Sequence, residues 1–205
     1  MTRVLLVRHG ETEWNRVERF RGRTDIELNA TGRSQAQAIA QRLSSWQMEA
    51  IYSSPLKRAL QTAQPIAQAC GREVQALDPI IDIDYGDCAG LSPEEFSTRH
   101  PDLFEKWRDA PQGARFPRGE SLDDLRRRAW PAVEEVCSAH EGGTVILVSH
   151  VVVNRVLICA ALGVGHSSFW KIGQDNAAIN VIEAEQTGYR LLLLNDTCHL
   201  ESLSG

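Results

Sequence analysis

With 205 residues, 42% of them apolar and 24% charged, the chain has the composition of a folded globular protein with one substantial core, which excludes a disordered or low-complexity polymer. A formal net charge of −5 excludes a general nucleic-acid binder, because a polyanion surface needs a broad excess of Lys and Arg. Within that balance the first 23 residues hold six arginines and no lysine (Arg3, Arg8, Arg16, Arg19, Arg21, Arg23), a stretch that reads either as a compact anion site or as plain solvated charge.

In chain order, Arg3-Val-Leu-Leu-Val-Arg8 is a short apolar run of the kind buried on both faces of a sheet, halting at His9-Gly10. It is too short, and too soon charged, for a secretory leader. After a charged loop, Asn29-Ala-Thr-Gly-Arg33 leads into a helix from Ser34 to Leu43, with Ala36, Ile39, Ala40 and Leu43 on one face. Ala50 to Ser53 reads as a strand ending at Ser54-Pro55, Leu56 to Ala69 as a second helix, and Glu73 to Leu77 as a further strand. This alternation predicts a mostly parallel sheet with helices on its faces.

From Asp82 to Gly119 glycines and prolines punctuate short helical pieces such as Pro101 to Asp109, the pattern of an insertion over the sheet edge. Glu120 to His140 is a long helix capped by Ser121 and carrying Pro131, and Thr144-Val-Ile-Leu-Val148 is a buried strand halting at Ser149-His150. The low polarity of Thr144 to Gly165 invites comparison with a membrane span. Ser149, His150, Asn154 and Arg155 in its middle exclude one. Val151 to Leu162 is helical, and Ile179–Ile182 with Tyr189–Leu194 form a terminal antiparallel pair around Gly188, an edge available for a homodimer. The five cysteines (Cys70, Cys88, Cys137, Cys159, Cys198) are odd in number and widely spaced, as in a reduced, cytoplasmic protein.

Ligands of open α/β sheets gather outside the carboxyl ends of the strands, and three polar clusters fall there: Arg8-His9-Gly10, Ser53-Ser54-Pro55 with Arg58 one helical turn on, and Ser149-His150. Two histidines at equivalent ends, each near arginines, fit phosphoryl transfer. That reaction needs positive charge and donors around three oxygens, with the attacking and leaving atoms in line. A zinc site fits poorly, since the same arginines would repel a cation.

The segment Leu6-Val-Arg-His-Gly-Glu-Thr-Glu-Trp-Asn15 resembles the signature of the histidine phosphatase superfamily, which includes the cofactor-dependent phosphoglycerate mutases. The likeness continues through Leu28-Asn-Ala-Thr-Gly-Arg33, Ser53-Ser-Pro-Leu-Lys-Arg-Ala-Leu-Gln-Thr62, Asp84-Tyr-Gly86, Gly119-Glu-Ser121 and Val148-Ser-His150. It implies a phosphoglycerate mutase-like α/β three-layer sandwich forming one domain over 1–205, with a small insertion at about 82–119. It also implies a metal-independent phosphomonoesterase without a cofactor, acting on a small phosphomonoester, with neither nucleic acid nor membrane as partner.

By matching positions, His9 is the expected nucleophile, with Arg8, Arg58 and His150 as phosphate ligands and Asn15 as a further donor. Bound anion should raise the pKa of His150. Asp82 stands where the family carries a Glu and is the expected general acid and base, with Asp84 and Glu11 as alternatives. Arg21, Tyr85 and Val151 complete the expected substrate contacts, and Trp14, Phe20, Trp107, Phe116 and Trp170 read as pocket walls or as packing. The short span between Asp82 and His150 resembles the phosphatase branch. The tail, Ser168-Phe-Trp-Lys-Ile-Gly-Gln-Asp-Asn-Ala177 and Asn195-Asp-Thr-Cys-His-Leu200, is most like bacterial metal-independent phosphoserine phosphatases, which carry a His where this chain has Tyr85. Mutase-type transfer and non-catalytic phosphoryl-ligand binding are the alternative readings.

Overall fold

The computed structural model describes residues 1–203. One six-stranded sheet runs through it: β1 (Thr2–Arg8), β2 (Ala50–Ser53), β3 (Val74–Ala76), β4 (Thr144–Ser149), β5 (Ile179–Glu185) and β6 (Gly188–Asp196), ordered β3-β2-β4-β1-β5-β6. The first four are mutually parallel and β5 and β6 antiparallel, the mostly parallel sheet expected. Because side chains alternate along a strand, Val4 and Leu6 enter one core and Leu5 and Val7 the other.

Helices α2 (Ala30–Leu43) and α3 (Lys57–Cys70) cover one face, through Ile39, Leu43, Ala63 and Ile66. Helices α6 (Leu122–Ala139) and α7 (Val151–Ala161) cover the other, through Leu125, Val133, Val153 and Leu157. The result is a three-layer α/β/α sandwich.

Two elements differ from expectation. A short helix, α1 (Glu13–Arg16), interrupts the first charged loop, and α2 starts at Ala30 instead of Ser34 because Asn29 caps it, accepting from the Gly32 N–H at 2.8 Å. This early start presses the first turn of α2 against the end of β1. A Cβ on Gly10 would stand 2.5 Å from the Gly32 carbonyl oxygen, and one on Gly32 2.1 Å from that of Glu11, so backbone contact here admits only glycine.

The insertion carries α4 (Pro93–Arg99) and α5 (Pro101–Asp109), each opening with proline at its first position. It has no core of its own. Ile83, Phe96, Trp107 and Phe116 belong to the same cluster as Val4 and Leu147, on the α6–α7 face. Helix α6 begins where Ser121 and Asp124 cap each other and runs unbroken through Pro131. The outer strand β6 shifts register twice against β5, an irregularity by which free edges discourage addition of another strand. Among the described residues no helix is long and apolar enough to cross a membrane.

Candidate active site

Parallel pairing brings the ends of β1, β2 and β4 to one edge of the sheet. Arg8 and Ser149 are register partners, and the His9 N–H donates to the Ser149 carbonyl at 3.0 Å, so the ladder itself seats the next residues, His9 and His150, side by side. Their ring centroids are 5.3 Å apart and both side chains are fully buried. Arg58, in the first turn of α3, is buried with them and donates to the Thr24 and Gly22 carbonyls at 2.9 and 2.7 Å.

The hydrogen bonds assign the imidazole protons. His9 Nδ1 lies 2.6 Å from the Gly10 carbonyl, which can only accept; Nδ1 therefore carries the proton and Nε2 the lone pair. His150 Nε2 lies 2.8 Å from Ser54 Oγ, and that oxygen already accepts from the Leu56 N–H at 3.4 Å. The hydroxyl can donate to Nε2, and the Asp82 carboxyl oxygen 3.7 Å from Nδ1 favours the proton of His150 on that nitrogen. Burial, then Arg58, hold both rings well below the ordinary imidazole pKa, so both are neutral in the protein alone. The rise expected for His150 needs an anion that offsets Arg58 and Arg21.

Asp82 closes the cup. Its Oδ2 is 3.0 Å from Arg58 Nη2 and 3.7 Å from His150 Nδ1, and its Oδ1 accepts from the Ile83 N–H at 2.9 Å. The side chain, one methylene shorter than Glu, therefore reaches both the Arg58 guanidinium and the neutral His150 ring. Burial pushes its carboxyl pKa up, against the pull of Arg58 and Arg21. The alternatives sit elsewhere: Asp84 accepts from the Gly86 N–H and pairs with Arg23, while Glu11 accepts from Asn29.

Beside this cluster, reaching it at Arg8 and Asp82, lies a cavity of about 330 Å³ bordered by Arg8, Asn15, Arg21, Asp82, Tyr85 and Val151, all expected from sequence; His9, Arg58 and His150 lie behind its walls. Asn15 Oδ1 accepts from both the N–H and the hydroxyl of Thr12, which identifies the oxygen and leaves its Nδ2 amide for the cavity. Of the six early arginines, Arg3, Arg16, Arg19 and Arg23 pair with carboxylates, whereas Arg8 and Arg21 have no such partner among the described residues. Arg8 is pulled down to about 9 by burial and by the nearby guanidiniums of Arg21 and Arg155. Phe20, Trp107 and Trp170 line the cavity, Phe116 is packed beneath it at 1% exposure, and Trp14 is not among its walls.

Five buried polar atoms in this one place have no protein partner: Nε of Arg8, Arg21 and Arg58, Nδ1 of His150 and Nε2 of His9. The first four are donors and the fifth is a lone pair. Buried polar groups are nearly always satisfied, so four orphan donors beside one nucleophilic nitrogen describe the complement of a tetrahedral oxyanion. Sequence reasoning missed Ser54 as the residue that orients His150, and it missed Arg155 and Gln174, which also border the cavity. Two polar residues in the otherwise apolar α7, Asn154 and Arg155, were the available signal.

Comparison with known proteins agrees with this geometry. A family model for the histidine phosphatase superfamily, branch 1, matches residues 4–197. Phosphoserine phosphatase 1 of Hydrogenobacter thermophilus is 44% identical over 200 residues, covering 98% of this chain and 95% of that one. Among solved structures, YhfR of Bacillus stearothermophilus matches with a TM-score of 0.94 at 30% identity over 98% of this chain and 100% of its own. A mutant phosphoserine phosphatase from Entamoeba histolytica, in complex with phosphoserine, matches at 0.89 and 31%, with coverage of 98% and 100%. That phosphatase is also known with 3-phosphoglyceric acid bound, at the same score and identity and over the same shares of the two chains. With two neutral histidines meeting in an arginine-lined cup and its whole fold shared with these phosphatases, the chain belongs to branch 1 of the histidine phosphatase superfamily and is a phosphomonoesterase of the histidine phosphatase type.

Proposed function

We propose that the protein hydrolyses phosphoserine or a closely related small phosphomonoester, through a phosphohistidine at His9, in the cytoplasm. The single observation that carries this reading is the buried His9–His150 pair, 5.3 Å apart, set among Arg8, Arg21 and Arg58, with an unpartnered buried donor on each arginine and a free Nε2 on His9. The neutral His9 attacks phosphorus in line while the donors, with Asn15 Nδ2, hold the equatorial oxygens. The P–O ester bond breaks as the P–Nε2 bond forms, and Asp82 gives its proton to the departing alkoxide. Asp82, now a carboxylate, then takes a proton from the water that attacks the phosphohistidine; the P–N bond breaks and phosphate leaves.

The relatives' substrates support the phosphoserine assignment, and the five unpaired cysteines support a reducing compartment. Phosphate release from phosphoserine, measured in EDTA for wild type and for His9→Ala, tests the scheme. Turnover should survive the chelator and vanish in the variant, and a quenched wild-type reaction should yield an acid-labile, alkali-stable phosphoenzyme. Loss of turnover in EDTA, or its persistence without His9, would overturn it.

A further inference from the structure

We propose that Arg155 binds a carboxylate on the substrate, making the enzyme selective for phosphorylated hydroxy or amino acids over phosphorylated plain alcohols; this rests on the phosphatase reading above. Arg155 borders the same cavity as Arg8, Arg21 and Asp82. Its Nε–H donates to the Ile172 carbonyl at 2.8 Å, and its guanidinium lies over the rings of Phe169 and Trp170, 5.2 and 4.8 Å from their centroids. Those three contacts fix the plane of the group. Neither Nη donates to an acceptor or forms an ion pair among the described residues, and the nearest acidic influence on the group is the more distant Asp175 carboxylate. Neither is among the buried unpartnered atoms, so both keep some exposure beside the cavity. A guanidinium held rigid at one edge and free at the other is preorganised to grip a planar, two-oxygen anion.

Its place on the helix that follows His150 sets its reach from the phosphoryl cup. Helix α7 starts immediately after His150, and Arg155 is on its second turn. At 1.5 Å per residue its Cα lies roughly 7 Å further along the axis, and helical side chains lean back toward the N-terminus, which brings the guanidinium nearer to the cup. A carboxylate two carbons from the ester oxygen spans that interval. The aromatic wall helps: Trp170 donates its indole N–H to the Trp107 carbonyl at 2.7 Å and meets Trp107 edge to face, and it covers one face of the guanidinium, where less water strengthens an ion pair. Tyr85, with burial holding its hydroxyl protonated, adds a neutral group to this wall and no competing anion.

The test compares substrate pairs that differ only by the carboxylate: phosphoserine against phosphoethanolamine, and 3-phosphoglycerate against glycerol 3-phosphate. Wild type should favour the carboxylate member of each pair by about 10- to 100-fold in kcat/KM, the range for one charge-assisted bidentate contact. In Arg155→Met, which keeps the apolar stem, that ratio should fall toward one, chiefly through KM, and Arg155→Lys should recover part of it. A ratio near one in wild type overturns the proposal without any variant. So does a ratio unchanged in Arg155→Met, whether both rates fall together or neither does, since a purely structural arginine would behave that way. Failure of wild type to hydrolyse even p-nitrophenyl phosphate would instead refute the phosphatase reading, and this proposal with it.

Discussion

The rings of His9 and His150 face each other at 5.3 Å with their planes inclined by 57°, a relationship set by strand register and not by loops. Each imidazole follows directly on a buried strand, and the two strands pair in register up to Arg8 and Ser149. A one-residue slip would turn one ring to the opposite face of the sheet. The space between the rings is therefore as rigid as the sheet, which suits a site whose work is to hold a phosphoryl group in line.

The two histidines should fail differently. His9→Ala removes the nucleophile and should abolish turnover while leaving the donors intact; added orthovanadate should still raise the melting temperature of this variant. His150→Ala should keep the nucleophile but lose a donor to the transition state, lowering kcat by about 10²- to 10³-fold. Single-turnover kinetics with melting curves distinguish them, and equal loss of vanadate binding in both variants would contradict the assigned roles.

Asp82→Asn should separate the two chemical steps. With phosphoserine, whose alkoxide needs a proton, phosphoenzyme formation itself should slow by about 10²- to 10⁴-fold. With p-nitrophenyl phosphate the phenolate leaves unaided. The variant should give a burst of nitrophenol equal to the enzyme, followed by slow hydrolysis for want of a base. The raised pKa of Asp82 means that it loses its proton as pH climbs, so it supplies the alkaline limb of kcat/KM on phosphoserine. That limb should disappear in Asp82→Asn, and an unchanged profile would move the acid elsewhere.

How much of this was legible in the sequence follows from what each signal measures. Buried parallel strands betray themselves as unbroken apolar runs, and each halts at a polar residue, so His9 and His150 are visible as strand-end residues, whereas the strand order that makes β1 and β4 neighbours is long-range and leaves no local signal. Arg8 and Arg21 could not be told from Arg16 or Arg23 by type. Only the carboxylates that neutralise Arg16 and Arg23, Glu13 beside the first but Glu120 from across the insertion for the second, make the distinction. Helix α2 starts four residues before the position its sequence suggests, because Gly32 lowers local helix propensity while the tertiary contact with Glu11 demands it. In sequence Arg155 is only a polar interruption of an apolar helix, because its stacking on Phe169 and Trp170 depends on how the chain returns after α7.

A buried polar network behind the cup should matter to both stability and binding. Gln174 accepts from Asn154 and Asn180 at 3.1 and 3.0 Å and donates to Asn180 at 2.6 Å, and its backbone carbonyl accepts from Arg8. Gln174→Leu leaves two buried asparagines short of partners, at about 1–3 kcal/mol each. The melting temperature should fall by several degrees, and KM should rise more than kcat falls, because the backbone carbonyl that Arg8 donates to is kept but no longer held in place by the Gln174 side chain. Thermal melting and steady-state kinetics check both; an unaffected KM would show that the network supports the fold alone.

Stability should decline as the medium is acidified, in a window set by the same two histidines. Both have folded pKa values well below the ordinary value of about 6.5, mainly because burial disfavours the charged ring. Above that value neither state binds the proton and the histidines contribute no slope. As pH falls below it, the unfolded chain takes up protons that the folded chain refuses, and stability drops by up to about 1.4 kcal/mol per pH unit for each ring. His166 and His199, also lowered by burial, add to the same slope. Asp82 acts in the opposite sense, since its raised pKa lets the folded state bind a proton first. That gain arrives only as pH falls through its folded pKa, and as a single group it cannot cancel four imidazoles. Melting curves between pH 8 and 5.5, in buffers free of phosphate, should therefore shift down on the acid side, and the shift should shrink in His150→Asn. A melting temperature that stays level or rises over this interval would mean that the imidazoles are already charged in the folded protein, and the neutral nucleophile would have to be abandoned.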